Sequence, residues 1–159
     1  PRYLVGQFWA QRQTVLAGTV IHVAKLSTQF ASTRLVPSEQ FSIGGASTVR
    51  GYEERILSGD AGVWFSQELQ KPLQPASIGK RWPRLESTVV AFWDYGRNVV
   101  RQPRPNEIRD SFLSSVGIGV RASVGSYLSA SADFAQQIER VELPGAAHNR
   151  LHVKVSFSY

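Results

Sequence analysis

Leu151-His152-Val153-Lys154-Val155-Ser156-Phe157-Ser158-Tyr159 alternates apolar and polar residues without a break. Successive side chains of a β-strand point to opposite faces, so the segment reads as one strand with an apolar and a polar side. The same pattern recurs upstream. Leu128, Ala130, Ala132 and Phe134 alternate with Ser129, Ser131 and Asp133, and Val116, Ile118, Val120 and Ala122 with Ser115, Gly117, Gly119 and Arg121. Val124-Gly125-Ser126 is a turn between those two. Val89, Ala91, Trp93 and Tyr95 share one face, against Thr88, Val90, Phe92 and Asp94 on the other. Val63, Phe65 and Leu69 oppose Trp64, Ser66, Glu68 and Gln70, while Ala24, Leu26, Thr28 and Phe30 oppose Lys25, Ser27 and Gln29. A first strand falls near Tyr3 to Gln13, its facing left open. The chain is therefore all-β, with about seven strands near the length of a tilted membrane-spanning strand.

The connections alternate in length. Val15 to Gly18 and Val124 to Ser126 are short; Ser32 to Asp60, Arg97 to Asp110 and Gln137 to Asn149 are long and polar; Gln70 to Leu85 is a Pro-rich turn of middling length. Short turns on one side and long loops on the other mark outer-membrane barrels. A soluble sandwich also alternates. Small aliphatic apolar faces, and aromatics placed near strand ends (Trp93, Tyr95, Tyr127, Tyr159), favour the membrane. About seven strands do not close a barrel, because bacterial barrels have an even number from about eight upward. Open edges expose backbone that hydrocarbon does not tolerate. Residues 1–159 are thus expected to be the C-terminal part of a larger transmembrane antiparallel barrel.

Composition excludes several classes. There is no cysteine, hence no disulfide framework or thiolate metal site. The formal charge is +6, but the basic residues are scattered, which is poor support for a phosphate-tracking groove; no nucleic acid is expected. No apolar run approaches the roughly 20 residues of a transmembrane helix. His22, His148 and His152 lack metal-ligand spacing. Gly117-Ile118-Gly119 is not a dinucleotide fingerprint, and its small residues are expected to make room for a loop. Ser77-Ile78-Gly79-Lys80 lacks the earlier glycine of a phosphate loop. No catalytic residue, cofactor or metal is expected.

The long loop 32–60 carries Phe41-Ser42-Ile43-Gly44-Gly45-Ala46-Ser47-Thr48-Val49-Arg50-Gly51-Tyr52. Glycines permit a tight backbone path, and an arginine fixed in it is a planar donor fork suited to an acidic partner. A cation folded into a lumen needs an anion, since an unpaired desolvated charge is costly. Asp94 and Glu68 both fall on polar strand faces. Arg50 is expected to pair with Asp94, with Glu68 as a second candidate, and Asp94→Asn is expected to mimic Arg50→Ala.

These residues resemble a known signature. Gln40-Phe41-Ser42-Ile43-Gly44-Gly45 followed by Val49-Arg50-Gly51-Tyr52 is similar to the sixth-loop motif of two-partner secretion transporters, the haemolysin-activator (TpsB, ShlB/FhaC-like) type. Phe92-Trp93-Asp94-Tyr95-Gly96-Arg97 resembles a second motif of that family, on a later strand. The resemblance implies a bacterial outer-membrane barrel of about sixteen strands. It implies a pore that exports a large unfolded exoprotein, with the periplasmic domains lying outside 1–159. It also implies loop-motif residues Gly44, Gly45, Val49, Arg50, Gly51 and Tyr52, and wall partners Asp94, Glu68, Phe92 and Gly96. The last strand resembles the signal read by the barrel-assembly machinery, through Leu151, Val153, Val155, Phe157 and Tyr159. Outer-membrane lipid would surround the wall. The alternatives are an assembly or insertase barrel of the same superfamily, or a barrel anchoring a passenger enzyme.

Overall fold

The computed structural model describes residues 3–79, 83–139 and 148–158. Among the described residues nine strands form: β1 (Val5–Val15), β2 (Ile21–Ala31), β3 (Phe41–Ile43), β4 (Leu57–Gly59), β5 (Ala61–Pro72), β6 (Leu85–Val99), β7 (Asp110–Val124), β8 (Leu128–Gln137) and β9 (Asn149–Phe157). Seven make one sheet in the order β1-β2-β5-β6-β7-β8-β9, every neighbouring pair antiparallel. This is the all-β meander expected from the alternation.

The sheet is inside out relative to a soluble sandwich. Its register puts Ile118, Val153, Phe134, Val89 and Trp93 on one face, all exposed, with Ile118 63% and Val153 64% accessible. Ser66, Glu68, Asp94, Ser115 and Asp133 lie on the other face, all buried. An extended exposed apolar face with buried polar groups behind it suits hydrocarbon outside and a polar lumen inside. The lumenal face is covered by the connection between β2 and β5.

Connections fall as the sequence implies, with adjusted limits. Residues 16–20 and 125–127 are short, at one end of the sheet. Residues 32–60 and 100–109 are long, at the other, where β8 ends and β9 begins. The β5–β6 ladder continues to Val99 and Pro72, trimming the loops on both sides. At 15 residues, β6 and β7 outrun a spanning strand. Trp93 and Tyr95 therefore sit well inside β6 rather than at its end. Both belong to an outward aromatic series, Phe65–Trp93–Tyr95–Phe112, with centroids 5.8 to 6.5 Å apart. The facing of β1 is fixed by its pairing with β2: Gln7 opposes Gln29 and Gln11 opposes Lys25, so both turn to the lumen. Tyr159 lies outside the described residues.

Loop 32–60 is not irregular throughout. Phe41–Ile43 pairs antiparallel with Leu57–Gly59, a two-stranded stem that alternation over three residues is too short to reveal. Its root is Asp60, fully buried. The Asp60 carboxylate accepts from Leu35 N at 2.8 Å, Gln40 Nε2 at 3.1 Å and Arg101 N at 2.6 Å. One side chain thus ties the loop's base to the 100–109 loop. A bidentate Arg34–Glu107 pair, at 2.6 and 2.7 Å, ties the same two loops nearer solvent.

Candidate functional site: the loop arginine in the barrel wall

The tip of the loop makes two reversals. Gly44 and Gly45 have φ of 108° and 99°, and Gly51 has 93°, a region that favours glycine. At the first reversal Gly44 N donates to Thr48 Oγ1 at 2.9 Å and Gly45 N to Val49 O at 3.1 Å. The second reversal lays Gly51 against Ala135 of β8: an added Cβ would stand 3.2 Å from the alanine methyl. Gln137 Nε2 donates to Gly51 O at 2.7 Å, and Gly51 N to His152 Nε2 at 3.2 Å.

Val49 and Tyr52 fix the tip by packing. Both are fully buried and cluster with Ile43 and Leu113. Gly96 on β6 leaves space for Ile43 and Val49, since a Cβ there would come within 2.9 Å of both. Tyr52 donates through its hydroxyl to Ser114 O at 2.7 Å and to Glu139 O. Burial pushes the Tyr52 phenol up to about 12, while the Ser114 N–H that donates to it pulls the other way.

Arg50 lies between these anchors, 5% exposed. Its Nε and Nη2 meet Asp94 Oδ2 and Oδ1 at 2.7 and 2.8 Å, a two-armed contact, and its backbone N donates to the same carboxylate at 3.2 Å. Nη1 stands 2.9 Å from Glu68 Oε1 and 3.7 Å from Asp133 Oδ2. Ser66 Oγ donates to Asp94 Oδ1 at 2.6 Å. The guanidinium lies 3.5 Å over the centroid of Phe92. Burial alone opposes the Arg50 cation. The hydrogen bonds and charge of Asp94, then Glu68 and Asp133, outweigh it and hold the group above its ordinary range.

The structure thus brings Gly44, Gly45, Val49, Arg50, Gly51 and Tyr52 together with Asp94, Glu68, Phe92 and Gly96. Three parts of the seat escaped the sequence reading. Asp133 is a third carboxylate, two strands beyond Asp94; its place on the polar face of β8 was the available signal. Ser66 and His152 are hydrogen-bonding groups of kinds that abound on every polar strand face, so nothing singled them out. One expectation changes: Gly117 and Gly119 make room for wall residues rather than for the loop. A Cβ on Gly117 would strike the Phe92 ring and Phe134 O, and one on Gly119 would strike the Asp133 carboxylate. Leu151, Val153, Val155 and Phe157 lie outward on β9, away from this seat. Among the described residues no acidic, histidine or cysteine cluster could hold a metal.

An apolar outer face, a polar inner face and a long loop salt-bridged to that inner face are the features of part of an outer-membrane β-barrel wall. Residues 5–122 match the family of haemolysin secretion/activation proteins ShlB/FhaC/HecB, and the chain belongs to that family. Its location is accordingly the bacterial outer membrane. The chain is also similar to the outer membrane transporter CdiB of Dickeya dadantii (strain 3937), 35% identical over 54 residues, which is 34% of this chain and 10% of that protein. The matched stretch is thus a small part of the curated relative.

Proposed function

We propose that residues 1–159 are the C-terminal part of a barrel that exports a large unfolded partner protein by two-partner secretion, with loop 32–60 folded into its lumen. The observation that carries this reading is the Arg50 seat. A loop cation held by Asp94, Glu68 and Asp133 has a place only if those carboxylates face a space the loop can enter. The seat lies on the same sheet face as Ser27, Gln29, Gln70, Ser115 and Ser129. Uncharged polar side chains of this kind let an extended chain pass without adhering to apolar surface. The sheet edges β1 and β9 would be completed by further strands of the full barrel, since neither edge is tolerable in lipid as it stands. The outward residues of β9, together with Tyr159, would serve the barrel-assembly machinery as its recognition strand.

The test is deletion of the full-length gene in its native host, followed by assay of the culture medium for a large exoprotein that the parent strain releases. Export should stop, with the exoprotein degraded or retained in the periplasm, while the levels of other outer-membrane proteins stay constant. Undiminished export would refute the reading. A general fall in outer-membrane proteins would point instead to an assembly barrel.

A further inference from the structure

Arg50 faces three carboxylates, and among the described residues only one of them has no second cation within 4 Å. Glu68 also stands 3.7 Å from Lys25 Nζ and accepts from Gln70 Nε2 at 2.8 Å. Asp133 takes both arms of Arg121 at 2.6 and 2.9 Å, against 3.7 Å to Arg50. Asp94 has no cation but Arg50 among the described residues; its other side-chain partner is the Ser66 hydroxyl. Lys25 and Arg121 stand on β2 and β7, and neither makes a hydrogen bond or ion pair to the loop. The Arg121–Asp133 pair packs over Gly119, so it is a feature of the wall itself. A hollow of about 210 Å³ borders Lys25, Arg121 and the loop tip at Ser47.

We propose that Lys25 and Arg121 are counter-charge residues that neutralise the wall in advance, so that loop 32–60 is a releasable latch rather than a fixed brace. When the loop leaves, Glu68 keeps Lys25 and Asp133 keeps Arg121. Only Asp94 is left without a cation. If three carboxylates were orphaned at once, the loop would be locked in place. The consequence runs against ordinary mutational intuition. Removing a cation that does not touch the loop makes the loop harder to release, because Glu68 or Asp133 then depends on Arg50. This deepens the export reading, but its measurement needs no export.

Ser115 gives the readout. It is fully buried, in register between Asp94, which holds Arg50, and Gln137, which donates to Gly51 O. In the full-length transporter in outer membranes, Ser115→Cys should react with a methanethiosulfonate reagent only when the loop is out. K25M and R121M are each expected to slow that reaction about tenfold, the effect of one partly buried carboxylate left unpaired. In an E68Q background K25M should have no effect, because no carboxylate is left to orphan. Labelling in K25M and R121M as fast as in the parent, or faster, would overturn the proposal. So would a K25M effect that persists with E68Q, which is what simple wall damage would give. Heat-dependent gel migration verifies each barrel, and K25Q or R121Q replaces any variant that fails it. A barrel that does not export but shows these rates would refute the export reading alone.

Discussion

Arg50→Ala is expected to abolish export and to unseat the loop while the sheet itself survives. The substitution removes a two-armed contact to Asp94, the contacts to Glu68 and Asp133, and the stacking over Phe92. It also leaves Asp94 buried, fully inaccessible, with only Ser66 as a side-chain partner. Breaking a buried pair from one side costs about 3–5 kcal/mol, because the remaining charge is uncompensated. Arg50→Lys should not restore export. An ammonium is a point charge that cannot engage both Asp94 oxygens, reach Glu68 and lie flat on Phe92 at once. Asp94→Asn should be the milder change, contrary to the equivalence expected from a simple pair. Arg50 then keeps Glu68 and Asp133, and the asparagine carbonyl still accepts. Export assays on these three variants, each verified by heat-dependent migration, give the ordering Arg50→Ala equal to Arg50→Lys and worse than Asp94→Asn.

Gly117→Val should have the second large effect, and should act through the wall. A Cβ at residue 117 would fall within contact distance of Phe134 O, which is ladder backbone and cannot yield, and of the Phe92 ring, the floor beneath Arg50. Overpacking of this sort costs about 1–3 kcal/mol or more. The expected outcome is a lower unfolding temperature and loss of the loop's seat together. Gly6→Val is the control: a Cβ there meets nothing within 4 Å, and its midpoint should not move.

Much of this was legible because the code for a barrel strand is simple. Period-two alternation from Leu151 back to Ala24 gave the strands and their facing, and that facing put Asp94 and Glu68 in the lumen. Loop bounds 32–60 followed because Ser32 to Asp60 has no such alternation. What stayed hidden depends on register between strands far apart in sequence. Asp133 joins the seat because Gly119 brings β8's carboxylate alongside β7. Asp60 is the loop's root through contacts with Leu35, Gln40 and Arg101. No local pattern marks such convergence. Gly117 is of the same kind: a small residue announces a close approach but not what approaches.

The seating of the loop tip against β6 is the central claim, and Val49 and Gly96 test it most directly. Val49 Cγ2 would lie 2.9 Å from a Cβ on Gly96, and Val49 is fully buried there. Cysteines at these two positions of the full-length protein, with Ile43→Val to withdraw the Cδ1 that a Cβ at residue 96 would strike, should form a disulfide in most molecules when oxidised in intact outer membranes, seen as a reducible mobility shift. Two thiols that stay uncrosslinked in a properly folded barrel, both alkylated by a reagent in the surrounding medium, would contradict it.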